Sequence, residues 1–276
     1  MHDAVFKCDL SAPYKLKSDV FSLMLPFFAL DGKATNEAII YYKELYLEIN
    51  TIIPAIGRAT LKDKAIPVFC LSQLMVKLNY SYETGNIASF TAYDFLIAIG
   101  RGTSGKDYKD LEKSLQRLNN TRITTNLTVK GISLPKEARL IAGYRYNKTS
   151  EANYIEVILP EWLIECAHKG IVLDLPSTYF ELSRPLHRRI YEICRQKYGG
   201  NNPKGKISIS NLHTLVGSGS SVAKFRCDIR ELIQTSKIPG FTLTLQKSLL
   251  HINKTTEQLA ESNIQDAEPT TCVKPV

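Results

Sequence analysis

Residues 206–252 read KISISNLHTLVGSGSSVAKFRCDIRELIQTSKIPGFTLTLQKSLLHI, and the fold prediction starts from this stretch. Ile207 and Ile209 alternate with serines, which predicts a short strand. The apolar spacing within residues 211–216 predicts a helix, and the glycine and serine run at 217–221 predicts the turn that ends it.

The helix predicted after this turn has two chemically different faces. Ser220 or Ser221 can cap its N-terminus. One face is apolar and consists of Phe225, Ile229, Leu232 and Ile233. The other face is basic and consists of Lys224, Arg226 and Arg230. Pro239 and Gly240 end the helix, and residues 241–245 and 249–252 alternate like the strands of a hairpin. This order is typical of a winged helix-turn-helix, whose second helix enters a major groove. Taken alone, the stretch also fits an amphipathic helix pair with a solvated basic face.

A second copy of the pattern lies 117 residues earlier. Residues 90–115 overlay residues 207–232 without a gap, with Gly100 at the place of Gly217 and Leu115 at the place of Leu232. Two copies favour a duplicated structural unit over a solenoid. We therefore predict an α+β fold of two tandem winged helix-turn-helix domains related by an internal repeat.

The predicted division of the chain follows from this repeat. It consists of a flexible N-terminal arm at 1–20, a first winged-helix domain at 21–170, a second at 171–254 and a disordered acidic tail at 255–276. Pro26 favours an edge strand or packed extended segment over a helix at 20–30. The remaining predictions are a strand at 41–49, a wing sheet from 122–129, 138–146 and 153–159, and helices at 66–78, between Pro160 and Gly170, and at 185–198.

The net charge of +8 is unevenly distributed. Residues 184–254 hold 13 Lys and Arg against 3 Asp and Glu, a balance of +10. Residues 255–276 hold four acids and one lysine, a balance of −3. A basic second unit is expected of a module that binds a polyanion.

Composition argues against several other classes of protein. No apolar run approaches the ~20 residues that span a bilayer, and the N-terminus lacks the apolar core of a signal peptide. A cytoplasmic protein without a membrane partner is therefore expected. The six cysteines are scattered, with no pair two to four residues apart, and the histidines form no ligand pair. Reduced thiols, no metal and no cofactor are expected.

One motif points to an enzyme. Residues 100–106, GRGTSGK, satisfy G-x-x-x-x-G-K, the loop that cradles phosphates in nucleotide hydrolases. That chemistry needs a strand before the loop and a Ser or Thr after the lysine, whereas a helix is predicted before it and Asp107 follows. The repeat assigns the glycines to a turn, so no catalytic residue and no enzymatic activity are predicted.

The candidate site is a double-stranded DNA interface. Arg226 and Arg230 are the candidates for base reading, because the guanidinium fork matches guanine O6 and N7. Cations on the exposed faces of the two second helices are the candidates for phosphate contacts: Lys224, Lys106, Lys109, Lys113 and Arg117. Ser220 and Ser221 could donate to a phosphate near a helix N-terminus.

Six segments within residues 21–241 have a distinctive sequence: FSLMLPFFAL, GRATLKDKAIPVFCLSQLM, SFTAYDFLIAIGR, LQRLNNTRITTN, LPEWLIECAHKG and YFELSRPLHRRIYEICRQKYG. Together they resemble the plasmid replication initiator protein A family. The resemblance implies a protein that binds its plasmid's origin and recruits host replication proteins, such as the helicase, its loader or the host initiator. It implies no catalytic site, and it leaves a homodimer open.

Two other functions remain alternatives from the sequence. One is a nucleotide-hydrolysing enzyme that uses the loop at 100–106. The other is a winged-helix transcriptional repressor, which would share the DNA-binding half of the initiator reading. Recruitment surfaces have no sequence motif, so the residues alone separate initiator from repressor poorly.

Overall fold

The structure is a computed structural model and describes residues 5–10, 14–32, 36–79, 85–200, 202–235 and 237–255. Its helices are α1 (Val20–Met24), α2 (Ala65–Asn79), α3 (Ala92–Ala98), α4 (Gly105–Asn120), α5 (Glu161–His168), α6 (Pro185–Tyr198), α7 (Ile209–Val216) and α8 (Val222–Thr235), with a 3-10 helix over Ser177–Glu181. Its strands are β1 (Val5–Lys7), β2 (Leu16–Asp19), β3 (Ala38–Tyr42), β4 (Leu45–Thr51), β5 (Ile87–Thr91), β6 (Thr121–Thr125), β7 (Thr128–Val129), β8 (Ile132–Ser133), β9 (Ala138–Arg139), β10 (Gly143–Lys148), β11 (Asn153–Ile158), β12 (Val172–Leu175), β13 (Lys204–Ser208), β14 (Phe241–Gln246) and β15 (Leu249–Lys254). The predicted α+β class is confirmed.

The C-terminal unit contains the elements predicted from its sequence. α6 is followed by β13, α7, α8 and the hairpin β14–β15, and the antiparallel sheet has the order β13-β15-β14. Ser208 caps α7, because its hydroxyl accepts from the amide of Asn211 at 3.2 Å. Gly217 ends α7 at a φ of 69°, and a Cβ there would lie 2.8 Å from Pro26. The turn between α7 and α8 therefore requires glycine for both backbone conformation and space.

The N-terminal unit has the same order of elements with one insertion. β5, α3 and α4 begin at residues 87, 92 and 105, while β13, α7 and α8 begin at residues 204, 209 and 222, each 117 residues later. In the sheet β1-β5-β11-β10, the strands β5, β11 and β10 occupy the places of β13, β15 and β14. The 117-residue offset of the sequence is thus also the offset of these elements.

The segment inserted between α4 and β10 belongs to a different sheet. β6 pairs with β4 and β9 in the sheet β3-β4-β6-β9, and β7 pairs with β8. The prediction of one wing sheet is therefore wrong in part. The hairpin β10–β11 lies at 143–158, whereas the strand predicted at 122–129 joins the other sheet. Strand propensity indicates that a segment is extended but does not choose its partner.

Two predictions near the N-terminus of the first unit are also corrected. The segment 20–30 begins as α1, because the Asp19 carboxylate accepts from the Ser22 amide at 2.7 Å and caps a helix that ends before Pro26. The strand predicted at 41–49 is instead the hairpin β3–β4, which turns at Lys43 with a φ of 56°. The predicted helices at 66–78, 161–169 and 185–198 are confirmed as α2, α5 and α6.

The predicted flexible arm at 1–20 is wrong for its described residues. β1 pairs in parallel with β5, and β2 pairs with β12. Phe6 and Leu16 are buried in the two hydrophobic cores. Few apolar residues suffice to order this segment because an existing sheet edge supplies its hydrogen bonds.

Buried apolar residues form two clusters that follow the two units. The first runs from Phe6 to Ile171, and the second is built mainly from α6, α7, α8 and their sheet. Leu23 of α1 and Val68 of α2 belong to the second cluster, so the first unit contributes to the core of the second. The domain boundary at 170/171 stays a prediction, and the tail predicted at 255–276 lies outside the described residues except for Thr255.

Candidate nucleic-acid interface

α8 is held by its apolar face, which leaves its other face open to solvent. Phe225, Ile229 and Leu232 are buried in the second core. The Ser221 hydroxyl accepts from the amide of Lys224 at 3.3 Å and caps the helix. α8 therefore has a fixed N-terminus at the end of the turn, as a helix that contacts a ligand with its first turns requires.

The three candidate cations of α8 have different surroundings. Arg230 is exposed and makes no ion pair or side-chain hydrogen bond with the described residues. Lys224 is also exposed, but its Nζ lies 2.7 Å from the Asp228 carboxylate. Arg226 donates to the carbonyl of Lys247 in the β14–β15 turn, and its Nε is buried without an acceptor. The Arg226 guanidinium therefore binds the hairpin turn, and base reading by Arg226 stays a prediction.

Ser220 is part of the turn itself. Its hydroxyl lies 3.0 Å from that of Ser218, and its carbonyl lies 2.7 Å from Nε2 of His213. The His213 ring packs edge-on against Phe225 with 5.2 Å between centroids. Ser220 thus stabilises the turn geometry, while Ser221 is exposed at the N-terminus of α8. Phosphate contacts by either serine stay a prediction.

The cations of α4 also divide into two groups. Lys106, Lys109 and Lys113 are exposed and make no ion pair with the described residues. Arg117 instead donates to the Asp63 carboxylate from Nε at 2.8 Å and from Nη2 at 2.7 Å. Since the Asp63 side chain is fully buried, Arg117 is a structural ion pair. The predicted exposure of Arg117 for phosphate binding is wrong.

The glycine-rich loop at 100–106 is the N-terminal cap of α4. α3 precedes it, and the Asp107 carboxylate accepts from the amide and the hydroxyl of Ser104 at 3.0 and 2.6 Å. These bonds, together with nearby Arg101 and Lys106, hold the pKa of Asp107 below its usual value. A Cβ at Gly102 would lie 2.9 Å from Asp107 Oδ2, so this carboxylate packs against the loop at Gly102. A phosphate bound in this loop would therefore meet a like charge.

Sequence reasoning missed two lysines on the sheet of the C-terminal unit. Lys204 and Lys206 are exposed on β13, and Lys206 lies beside His251 in the register of β13 and β15. The signal was present in the alternation KGKIS, where the inward Ile207 places both lysines on the opposite face. These residues form a basic patch on the face of the sheet that points away from the core.

A buried ionic network joins the two units. The Glu192 carboxylate of α6 lies 2.9 Å from Lys64 Nζ and 3.0 Å from Arg189 Nη1, and it accepts from the Tyr179 hydroxyl at 2.6 Å. All four side chains are almost fully buried. Although burial raises the pKa of Glu192, the two cations and the hydroxyl hold it below its usual value. Glu192 is therefore the shared counter-ion of Lys64 and Arg189 inside the protein.

Arg189 connects this network to the backbone of both units. It donates to the carbonyls of Ser22 and Leu23 at 3.0 Å each, and to the carbonyl of Leu215 at 2.9 Å. Leu215 lies in the last turn of α7, directly before the turn to α8. The network thus fixes the position of the α7–α8 pair relative to α1.

Two further features are absent from the described ranges. They contain no group of three or more His, Cys, Asp or Glu side chains that could hold a metal ion. No described helix is both long enough and apolar enough to cross a membrane.

Solved structures with a similar fold agree with this architecture. The chain resembles a crystal structure of domain 2 and domain 3 of RctB with a TM-score of 0.59 and 14% identity, over 86% of this chain and 98% of that chain. A second structure of RctB domains 2-3 gives a TM-score of 0.51 and 12% identity, over 91% and 95%. At this level of identity the comparison shows the fold class alone.

Sequence comparison then assigns the family. A family model described as replication initiator protein A matches residues 17–243. A relative named "Putative replication protein", from Wigglesworthia glossinidia brevipalpis, is 31% identical over 246 residues, which cover 86% of this chain and 88% of the relative. The chain belongs to the replication initiator protein A family, and the family resemblance stated from the sequence is confirmed.

Proposed function

We propose that this protein starts plasmid replication by binding double-stranded origin DNA through two winged helix-turn-helix units and recruiting host replication proteins. The observation that carries the proposal is the correspondence between the units. β5-α3-α4 and β13-α7-α8 begin at a constant offset of 117 residues, and each is completed by a hairpin in the same strand order. Strand, helix, turn, helix and hairpin is the arrangement in which the second helix enters a major groove.

The side chains on the two second helices support different roles. Arg230 is the uncommitted guanidinium on α8 and is the candidate for base reading. Lys106, Lys109 and Lys113 on α4, with Lys224 on α8, are candidates for phosphate contacts. Arg226 orients the β14–β15 turn against α8 and so positions the wing.

The buried network around Glu192 supports binding by both units at a fixed spacing. Because Arg189 holds α1 and α7 together, the two second helices cannot vary their separation freely. Adjacent major grooves on one face of the duplex lie about 34–36 Å apart, roughly 10 base pairs. One chain is therefore expected to protect about 20 base pairs of a non-palindromic site, as two blocks one turn apart.

The test is footprinting on the origin, followed by insertion of five base pairs between the two protected blocks. Half a turn moves one block to the opposite face, so the insertion should remove most specific binding. A ten-base-pair insertion is the matched control, because it restores the face and changes the distance alone. A single protected block, or affinity unchanged by five base pairs, would show that one unit alone binds DNA.

A replication assay separates the initiator from a repressor. A plasmid that carries the origin but lacks the coding sequence should be maintained only when the protein is supplied from elsewhere. Origin binding without maintenance would support the repressor alternative. We do not favour nucleotide hydrolysis, since the capped loop at 100–106 offers no open phosphate cradle.

A further inference from the structure

A groove of about 850 Å³ lies between the two units. One wall consists of β3 with Leu30 and Arg58, and the other of the start of α6, the α7–α8 turn and part of α8. This volume is within the range of sites that hold small ligands or peptide segments, roughly 300–1,000 Å³.

Arg58 in this groove is buried without a partner. It is 6% exposed, and its side chain makes no ion pair and no hydrogen bond with the described residues. Burial lowers the pKa of Arg58 to about 10. A buried cation without a counter-ion costs several kcal/mol. The buried Arg189, by contrast, contacts Glu192 and several carbonyls, so this protein pairs buried guanidinium groups where they serve the fold.

The other charged groups of the groove do not compensate Arg58. Asp228 is paired with Lys224 at 2.7 Å, and Arg184 is paired with Glu231 at 2.6 Å. In the described part of the chain, no ion pair within 4.0 Å links Asp31 to Arg58. The uncompensated charge in the groove is therefore positive, and its complement is an anion.

The second feature of the groove is the open edge of β3. Residues 38–41 all line it, although successive side chains of a strand point to opposite faces. A groove that contacts consecutive residues can do so along the strand edge, while α7 packs against β3 beside it. β3 ends the sheet β3-β4-β6-β9, and no described strand pairs with its outer side. Ile39 and Tyr41 are 62% and 69% exposed.

We propose that this groove binds an extended acidic segment of a partner protein, which adds to β3 as a further strand and places a carboxylate against Arg58. An open edge supplies main-chain hydrogen bonds, and a flanking pocket supplies specificity, as in other complexes formed by strand addition. A small anion alone would use Arg58 but leave the edge and its exposed apolar residues without a role. The proposal does not depend on DNA binding, which is measured separately on each variant.

The test starts from random decapeptides displayed on phage and selected on the full-length chain. Selected peptides should alternate β-forming residues and carry one Asp or Glu at a constant position. A synthetic selected peptide should bind at least about tenfold more weakly when that acid is changed to its amide. Its binding should also slow hydrogen exchange of the β3 amides.

Substitutions then test whether peptide binding depends on Arg58 itself or on any cation that lines the groove. Arg58→Met should reduce peptide affinity about tenfold or more. The matched control is Arg184→Met, which removes a cation that is already paired with Glu231. This control should change peptide affinity less than about twofold. Ile39→Lys, at an exposed position, should weaken the peptide through the strand edge. Arg58→Met should keep or raise the melting temperature, because it removes an unpaired buried charge, so lost binding would not reflect unfolding.

Several results would overturn the proposal. These are a selection that yields no peptide, selected peptides without an acidic preference, equal effects of Arg58→Met and Arg184→Met, or unprotected β3 amides. Displacement of the peptide by millimolar inorganic phosphate would instead assign Arg58 to a small-anion site. Loss of origin affinity in Arg58→Met, with no peptide bound, would assign the residue to the DNA interface.

Discussion

The helix pairs α3–α4 and α7–α8 share a backbone plan but differ in charge. With the 117-residue offset, Lys113 occupies the place of Arg230, Lys109 that of Arg226, and Asp107 that of Lys224. The apolar faces correspond in part, because Tyr108 and Leu115 match Phe225 and Leu232 in position, whereas Leu111 and Glu112 match Asp228 and the buried Ile229. Helix pairs with the same order of elements therefore present uncommitted lysines on α4 and an uncommitted guanidinium on α8.

Net charge alone does not decide which of the two units binds DNA more tightly. The +10 balance of residues 184–254 leads us to expect that the C-terminal unit dominates DNA affinity, and this stays a prediction. Arg188 and Arg189 are buried, and Arg184, Lys224 and Arg226 are engaged with other groups. Within the described residues, Arg230, Lys204, Lys206, Lys237 and Lys247 of the C-terminal unit are nonetheless exposed without an ion pair, as are Lys106, Lys109 and Lys113 of α4. A net charge counted from the sequence includes every charged residue, whereas DNA binding uses only the exposed cations that have no partner within the protein.

The largest expected effect is a loss of stability at the C-terminal turn of α4. The corresponding turn of α8 should show no such loss. Arg117→Ala removes both hydrogen bonds that the guanidinium donates to the buried Asp63 carboxylate. The expected loss is about 2–4 kcal/mol of unfolding free energy, measured by urea denaturation. The matched control is Gln234→Ala at the corresponding position of α8, which is exposed and should change stability by less than about 0.5 kcal/mol. Equal losses in the two variants would contradict the structural role of Arg117.

The next effect is on sequence discrimination and compares Arg230 with Lys113. Arg230→Ala should cost about 1–3 kcal/mol on origin DNA and little on random DNA, because a bidentate base contact is lost. Lys113→Ala should weaken binding to both DNAs alike, since a phosphate contact has no sequence preference. Fluorescence anisotropy at fixed salt measures both differences. If Arg230→Ala weakens random DNA as much as origin DNA, Arg230 is a phosphate contact.

The elements that sequence predicted well are those whose signals are local. Helical spacing, serine caps and glycine turns placed both helix pairs, and the repeat gave their offset, because each signal spans only a few residues. The partner of β6 and the pairing of β1 and β2 depend on contacts far along the chain and were missed. The partners of Arg117 and Arg226 were missed for the same reason, since Asp63 and the Lys247 carbonyl lie 54 and 21 residues away. Nothing in the segment GRAT marks Arg58 as buried.

A smaller effect compares Arg226 with Lys109. Arg226→Ala should lower stability by about 0.5–1.5 kcal/mol, because the hydrogen bond to the Lys247 carbonyl is lost. Lys109→Ala should leave stability unchanged within about 0.5 kcal/mol. It should reduce the slope of log affinity against log salt by about one unit. An unchanged slope in Lys109→Ala would remove Lys109 from the phosphate contacts.

The smallest expected effect is an absence of nucleotide hydrolysis. It concerns the loop at 100–106 between α3 and α4, whose G-x-x-x-x-G-K sequence has no counterpart in the turn between α7 and α8. The purified protein with magnesium should hydrolyse no ATP or GTP above background, with or without origin DNA. The reason is geometric: the Asp107 carboxylate accepts from Ser104 inside the loop, where a nucleotide phosphate would meet a like charge. Lys106→Ala should consequently change DNA affinity slightly and turnover not at all. Turnover that disappears in Lys106→Ala would show that Asp107 can leave its cap, and the loop would then be a nucleotide site rather than the turn between two helices.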